Sequence, residues 1–191
     1  MSFRDDQYYI EEVLDGRVDA FRPLVERHQD LVYTIVRRII ISDQEAEEVA
    51  QDVFVKAYRK LGEFRGKAKF STWLYRIAYN TAISHTRKKS VTFVPADERG
   101  LEHIPDDSVQ DDILGLSAED RGRLINSALS RLPGTDKLII TLFYYHEREV
   151  SEISGIIGVS ESNVKVKLHR IRKRLLMEMN DILGKTIDTV A

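Results

Sequence analysis

Residues Val150 to Leu175, VSEISGIIGVSESNVKVKLHRIRKRL, contain two short helical patterns separated by a tight turn. The first pattern begins at Val150 and ends at Gly158, a residue type that commonly terminates helices. Ser160 follows and is suited to cap the second pattern. The second helix has an apolar side made of Val164, Leu168, Ile171 and Leu175. This spacing predicts a helix-turn-helix.

The outer side of the second helix is basic. Between residues 163 and 174 the chain has six Lys or Arg and no Asp or Glu: Lys165, Lys167, Arg170, Arg172, Lys173 and Arg174. A solvated charged face is the usual explanation of such a run. Here the turn glycine, the serine cap and the inward apolar spacing agree with one another, so binding to duplex DNA is favoured.

Two longer helical patterns lie near the start of the chain. Apolar residues recur every three or four positions from Phe21 to Ile40, which predicts a helix that faces a core. The same periodicity resumes from Ala46 to Leu61, after Ser42 and Asp43, either of which can cap the second helix. The opposite face of this second helix is acidic and polar, with Glu45, Glu48, Gln51 and Asp52.

A third helix is expected after a loop bracketed by Gly62 and Gly66, with Ser71 or Thr72 at its start. One side of this helix is mainly apolar: Trp73, Leu74, Ile77, Ala78 and Thr81. For Trp73, packing in a core is favoured over contact with a base. The other side has Tyr75, Arg76, Tyr79 and Asn80. Aromatic and basic groups side by side are typical of a surface that binds an unstacked strand.

Charge is strongly segregated along a chain of net charge -2. Residues 1–55 have thirteen acids against six Arg, and residues 56–90 have ten Lys or Arg against Glu63 alone. Two basic segments separated by acidic sequence suggest two places that meet a polyanion.

Residues 91–117 have seven acids, one Arg, two Pro and two Gly without helical periodicity, so they are predicted to form an extended acidic linker. Beyond this segment, Ser117 and Asp120 resemble a capping box, and Pro133 is expected in the first turn of a later helix. We therefore predict an all-α chain with two small helical domains, 1–90 and 118–191, joined by the acidic linker.

Several function classes are disfavoured by the composition. The chain has no Cys, which excludes disulfides and thiolate metal sites. The segment from Gly62 to Lys67 lacks the spacing of a phosphate-binding loop, and His146-Glu147 lacks the second His of a zinc protease. We expect no catalytic residue, metal or cofactor. A polar N-terminus and the lack of an apolar stretch of about 18 residues lead us to expect a cytoplasmic protein without membrane insertion.

Two separated blocks resemble the bacterial sigma factors. Residues 43–58 and 64–80 are similar to sigma region two, whereas Leu132-Pro133 and residues 152–170 are similar to region four. The lack of a domain between them is the pattern of the extracytoplasmic-function (ECF) group. The resemblance implies a non-enzymatic sigma factor that binds core RNA polymerase and directs promoter recognition and opening in transcription initiation. Glu149 departs from the family pattern, which usually has a Ser or Thr cap there.

The resemblance also implies residue roles. The polymerase-binding face comprises Glu48, Gln51 and Asp52. The residues that contact the melted minus-ten element are Arg65, Lys67, Lys69, Phe70, Tyr75, Arg76, Tyr79 and Asn80. The residues that contact the minus-thirty-five duplex are Ser160, Ser162, Asn163, Lys165, Val166, Lys167, His169 and Arg170. The acidic linker resembles the family segment that threads the RNA path of the polymerase, and an anti-sigma factor is an expected partner.

Two other classes remain open from the residues alone. A stand-alone helix-turn-helix regulator binds duplex DNA through the C-terminal motif and uses the N-terminal half to sense or dimerise. An interaction protein uses its helices only to bind a partner. DNA binding by the free protein distinguishes the regulator from a sigma factor, since a sigma factor is expected to need the polymerase.

Overall fold

The computed structural model describes residues 5–89 and 116–190, with side chains described for residues 5–88 and 116–184. Within those ranges the chain is helical and no strand is assigned. The predicted acidic linker, 91–117, lies outside the described residues except for its last two positions. The α-helices are α1 (Asp6–Leu14), α2 (Arg22–Ile39), α3 (Asp43–Arg59), α4 (Phe70–Lys89), α5 (Ala118–Arg131), α6 (Gly134–Tyr144), α7 (Val150–Ile157) and α8 (Glu161–Val190).

Most of the predicted helix boundaries are confirmed by their capping contacts. The Ser42 hydroxyl accepts a hydrogen bond from the Glu45 N–H at 3.4 Å, and the Ser160 hydroxyl accepts one from the Asn163 N–H at 3.3 Å. Gly158 has a φ of 75°, the left-handed conformation that ends α7. Because glycine has no Cβ, it adopts this conformation without strain.

Two local predictions are corrected, and one helix was missed. Helix α4 begins at Phe70, before either predicted cap, and Pro133 is the N-cap of α6 instead of a first-turn residue. Pro133 has a ψ of 148°, which is extended and therefore outside the helix. Helix α1 was not predicted from the sequence. Its only buried residue is Ile10, so it has too little apolar periodicity to be recognised.

The hydrophobic core combines both halves of the chain. Fully buried residues of the N-terminal half and of the C-terminal half belong to one cluster, with Leu24, Ile35 and Leu74 from the first and Leu138, Ile153 and Leu168 from the second. The start of α6 lies against the end of α2. A Cβ atom added at Gly134 would lie 3.1 Å from the carbonyl oxygen of Arg38, so a larger residue there needs backbone movement.

A smaller cluster joins α5 to the distal part of α8. It contains Leu124, Ala128 and Met179. At its edge, Arg131 Nη1 donates hydrogen bonds to Glu178 at 3.2 Å and to Asp181 at 2.8 Å. Helix α5 therefore packs against the distal part of α8.

Candidate polymerase and nucleic-acid interfaces

The acidic face of α3 is open to solvent. Glu48, Gln51 and Asp52 are exposed, while Val49 and Val53 of the same helix are buried in the core. Side chains three and four positions apart share one helix face. The three residues therefore form one contiguous polar surface, as the sequence predicted, and their contact with polymerase stays a prediction.

The basic loop before α4 is also exposed. Arg65, Lys67 and Lys69 point to solvent around Gly66, whose φ of 67° turns the chain. Along α4, Arg76 and Asn80 are exposed and Tyr79 is half-buried. These six residues stand as the candidate surface for a melted strand, because cations and an aromatic ring occur together on it.

Phe70 and Tyr75 do not belong to that surface in this structure. Phe70 packs against Phe64 and Trp73, with ring centroids 5.7 Å away in both cases. Tyr75 is only 4% exposed. The prediction that Tyr75 faces outward is corrected, because helices pack on α4 from both sides and bury it. Phe70, which was assigned through the resemblance, is buried as well, and contact of either ring with DNA stays a prediction. Trp73 packs against the core, as expected.

A hydrogen-bonded chain that the sequence did not indicate holds Tyr75 in place. His28 Nδ1 lies 2.9 Å from the Tyr75 hydroxyl, and His28 Nε2 lies 2.9 Å from a carboxylate oxygen of Asp6. Asp6 also pairs with Arg27. Burial raises the pKa of Tyr75 to about 12, although the charge of Arg148 acts in the opposite direction. The chain links α1, α2 and α4.

Helix α7 lies along the beginning of α4, and we call this the α4–α7 contact. The Lys69 ammonium donates a hydrogen bond to Glu152 at 3.0 Å. The guanidinium of Arg148 lies over the Tyr75 ring, 5.8 Å from its centroid. A Cβ atom added at Gly155 would lie 2.7 Å from Thr72 Cγ2. The first helix of the helix-turn-helix thus rests against the helix proposed to bind the melted strand.

Helix α8 presents the surface predicted for duplex DNA. The exposed side chains at its N-cap and on its first turns are Ser160, Ser162, Asn163, Lys165, Val166, His169 and Arg170, while Lys167 is half-buried. Val164, Leu168 and Ile171 are buried, which confirms the predicted inward side. The arrangement exposes a polar and basic face of α8, and its contacts with bases and phosphates in a groove stay a prediction.

Asp136, a partly buried acid in the first turn of α6, lies near basic side chains of α8. Burial raises the pKa of Asp136, although the nearby charges of Lys167 and Arg174 act in the opposite direction. Arg174 Nη1 lies 3.9 Å from the Asp136 carboxylate. Asp136 therefore lies beside basic side chains of α8, and this residue was not singled out from the sequence.

Two classes of site find no support in the part of the chain that the structure describes. No group of three or more His, Asp or Glu side chains is placed to hold a metal ion within those ranges. None of the helices searched there has the length and apolar character needed to cross a membrane.

Comparison with known proteins identifies the class to which these surfaces belong. The model of Sigma-70 region 2 matches residues 24–92, and the model of Sigma-70, region 4 matches residues 122–175. The solved structure of CnrH in complex with the cytosolic domain of CnrY has a TM-score of 0.65 at 22% identity and covers 92% of this chain and 97% of that one. At that identity the likeness supports the fold alone.

Curated relatives define the family more closely. The ECF RNA polymerase sigma factor SigW of Bacillus subtilis is 33% identical over 91% of this chain and 96% of its own length. The RNA polymerase sigma-H factor of Pseudomonas aeruginosa is 30% identical over 93% and 95%, and the ECF sigma-E factor of Escherichia coli K12 is 31% identical over 89% and 92%. This chain belongs to the ECF RNA polymerase sigma factors and acts in transcription initiation. The resemblance noted from the sequence is thereby confirmed.

Proposed function

We propose that this chain binds core RNA polymerase in the cytoplasm, brings it to a set of promoters and helps to open them without carrying out chemistry. The observation that carries the proposal is the presence of two exposed surfaces of opposite charge on a sigma scaffold. One is the acidic face of α3, and the other is the basic face of α8. An acidic face suits a protein partner with a basic surface, whereas a basic helix suits DNA.

The two DNA-facing surfaces have different tasks. Arg65, Lys67 and Lys69, with Arg76, Tyr79 and Asn80 of α4, hold the melted minus-ten strand, because a separated strand needs cations along its backbone and a ring for stacking. The exposed start of α8 enters the major groove of the minus-thirty-five duplex, where polar side chains reach base edges. Glu48, Gln51 and Asp52 dock on the polymerase.

The chain is proposed to work as two domains, 1–90 and 118–191, whose relative placement changes between the free and the polymerase-bound states. The acidic segment 91–117 connects them and follows the RNA path of the polymerase. Its charge supports this proposal, since residues 91–117 contain seven acids against one Arg.

An anti-sigma factor is the second proposed protein partner. A solved relative of similar fold, RpoE from Bartonella quintana, is described in complex with the anti-sigma factor NepR, with a TM-score of 0.60 at 18% identity over 85% of this chain. Residues of both halves of this chain share one buried core. We propose that the anti-sigma factor stabilises this arrangement.

Transcription with purified components tests the proposal. Core polymerase with this protein should produce run-off transcripts from a genomic promoter library, and core polymerase alone should not. A stand-alone regulator, which the exposed basic helix also fits, should instead bind a specific duplex without polymerase and add no transcription to core enzyme. That second result would contradict the proposed mode of action and favour DNA binding without polymerase.

A further inference from the structure

Three basic side chains meet where the end of α2 packs against α6. Arg38 lies in the last turn of α2 and is exposed, whereas Lys137 of α6 and His146, which follows α6, are half-buried. The two helices are in close contact, because a Cβ atom at Gly134 would lie 3.1 Å from the carbonyl oxygen of Arg38. We call Arg38, Lys137 and His146 the basic cluster.

The members of the basic cluster share one electrostatic environment. Burial lowers the pKa of Lys137, and the charges of Arg38 and Arg37 lower it further. Burial also lowers the pKa of His146, as do the charges of Arg148 and Arg38. Arg38 therefore acts on both other members. Since no described carboxylate is among the groups that shift either pKa, the cluster is a region of positive charge without a counter-charge.

The neighbouring arginines have acidic partners that the basic cluster lacks. Arg37 pairs with Asp43, and a guanidinium nitrogen of Arg148 lies 3.7 Å from the Glu152 carboxylate. In the part of the chain whose side chains are described, no hydrogen bond or ion pair engages the side chains of the basic cluster. The Nε of Arg148 is in addition a buried donor for which no acceptor is found among those residues. Several N–H donors beside one another thus remain available to an anion.

Helix dipoles explain only one member of the basic cluster. A cation is favourable at the C-terminal end of a helix, and Arg38 lies in the last turn of α2. Lys137 is the fourth residue of α6, near the end of that helix where the dipole disfavours a cation. Like charges brought together also repel one another. An anion bound among the three side chains would offset both of these costs.

We propose that the basic cluster is a binding site for a small phosphate-type oxyanion. The guanidinium of Arg38 offers paired N–H donors to such an anion, Lys137 offers an ammonium and His146 an imidazole N–H. Two of the three donors are half-buried between helices, which favours a compact anion over the extended backbone of a nucleic acid. The site goes beyond the function proposed above, because it requires neither polymerase nor DNA.

An anion in this site connects the two halves of the chain. Arg38 belongs to the N-terminal half, whereas Lys137 and His146 belong to the C-terminal half. A ligand that binds the folded arrangement and not the unfolded chain stabilises the folded arrangement by mass action. Pyrophosphate should therefore raise the unfolding temperature when the ionic strength is held constant.

Two variants remove one donor each from the basic cluster. Arg38→Gln and Lys137→Gln abolish a charge and keep a polar side chain, and neither residue has a described side-chain partner to lose. Arg22→Gln is the matched control for the first, because Arg22 lies at the other end of α2 and pairs with Glu26 at 3.6 Å. Lys60→Gln is the control for the second, since Lys60 is exposed at the end of α3. Each control changes the net charge as much as its partner variant does.

The experiment uses the full chain with sodium pyrophosphate and with EDTA to remove divalent cations. Isothermal titration calorimetry measures the stoichiometry and the affinity, and circular dichroism measures the unfolding temperature. Sodium chloride is adjusted to keep the ionic strength constant in every titration. Parallel titrations with ADP and with a short duplex DNA distinguish a free oxyanion from a nucleotide and from nucleic acid.

We expect one pyrophosphate to bind per chain and to raise the unfolding temperature. Arg38→Gln and Lys137→Gln should each weaken this binding by about tenfold or more, since each removes a charge-assisted hydrogen bond. The two controls should stay within about twofold of wild type, because they change only exposed charges. ADP binding that the same two variants lose would also support the site and would extend it to nucleotides.

Three results would overturn the proposal. One is the lack of saturable binding of either small anion to the wild-type chain. Another is an equal loss of affinity in the controls, which signals general ionic attraction. The third is duplex affinity that falls in Arg38→Gln and Lys137→Gln while neither small anion binds, which makes the cluster a contact for nucleic acid. A failure of run-off transcription leaves all of these measurements unaffected, so the site and the proposed function are tested separately.

Discussion

The buried pair of His28 and Tyr75 offers a quantitative test of how the N-terminal helices hold α4. We consider the variants His28→Phe and Tyr75→Phe, singly and together. Phenylalanine keeps an aromatic ring at each site, and His28 already packs edge-to-face on Phe70 with centroids 5.6 Å apart. The substitutions therefore remove hydrogen-bonding groups and change packing little.

The expected magnitude follows from burial. His28 is 6% exposed and Tyr75 is 4% exposed, so each loses its partner without gaining access to water. A buried polar group left without its partner costs about 1 to 3 kcal/mol. We expect each single variant to lower the free energy of unfolding by that amount. The double variant leaves neither of these two groups unpaired and should cost less than the sum, by about 1 kcal/mol or more.

Urea unfolding followed by circular dichroism measures the cycle, with the denaturant slope m required to stay constant so that midpoints report stability. Additive losses, within about 0.5 kcal/mol, would mean that the hydroxyl and the imidazole do not interact. The 2.9 Å contact between His28 Nδ1 and the Tyr75 hydroxyl would then carry no energy.

Three further predictions concern pH, salt and polymerase. Since burial raises the pKa of Tyr75 from 10.0 to about 12, its contribution is complete below pH 10 and is lost as the pH rises toward 12. Between pH 10 and pH 12, the free energy of unfolding of Tyr75→Phe should therefore fall by about 2 kcal/mol less than that of wild type, as measured by urea titrations at each pH. With core polymerase present, Lys165→Ala should lower the salt slope of promoter duplex binding by about one if it contacts a phosphate, measured by anisotropy against salt, with Arg123→Ala on α5 unchanged as the control. Gln51→Ala with Asp52→Lys should weaken competition for core polymerase and alter unfolding by no more than about 0.5 kcal/mol, because both side chains are exposed.

Local chemistry explains what could be predicted from the sequence. The apolar periodicity of α2 and α3 reflects burial on one face, and Leu24, Ile35 and Val53 are fully buried accordingly. The caps at Ser42 and Ser160 depend only on residues three positions apart. The exposed faces of α3 and α8 followed from the same periodicity, since residues opposite an apolar stripe face solvent.

The burial of Tyr75 and the α4–α7 contact could not be predicted, because both depend on contacts between residues that are far apart in the sequence. Periodicity indicates one buried face, but α4 is buried on two sides because α7 packs against it and Arg148, just before α7, lies over the Tyr75 ring. The pair Lys69 and Glu152 is 83 positions apart, so no local pattern connects the two side chains. The polar chain through Asp6 depends in the same way on helix α1, whose sequence has little periodicity.

Promoter opening tests most directly the division of labour between α4 and α8. The measurement is permanganate reactivity of thymines in the minus-ten region, recorded beside a binding assay on the same promoter with core polymerase. We expect alanine at both Tyr79 and Asn80 to leave closed-complex binding at the wild-type level and to reduce opening, since stacking contributes roughly 1 to 3 kcal/mol per base. A template with a premelted bubble should restore activity. Wild-type reactivity in this double variant, or a defect that the bubble does not restore, would contradict the assignment of the melted strand to α4.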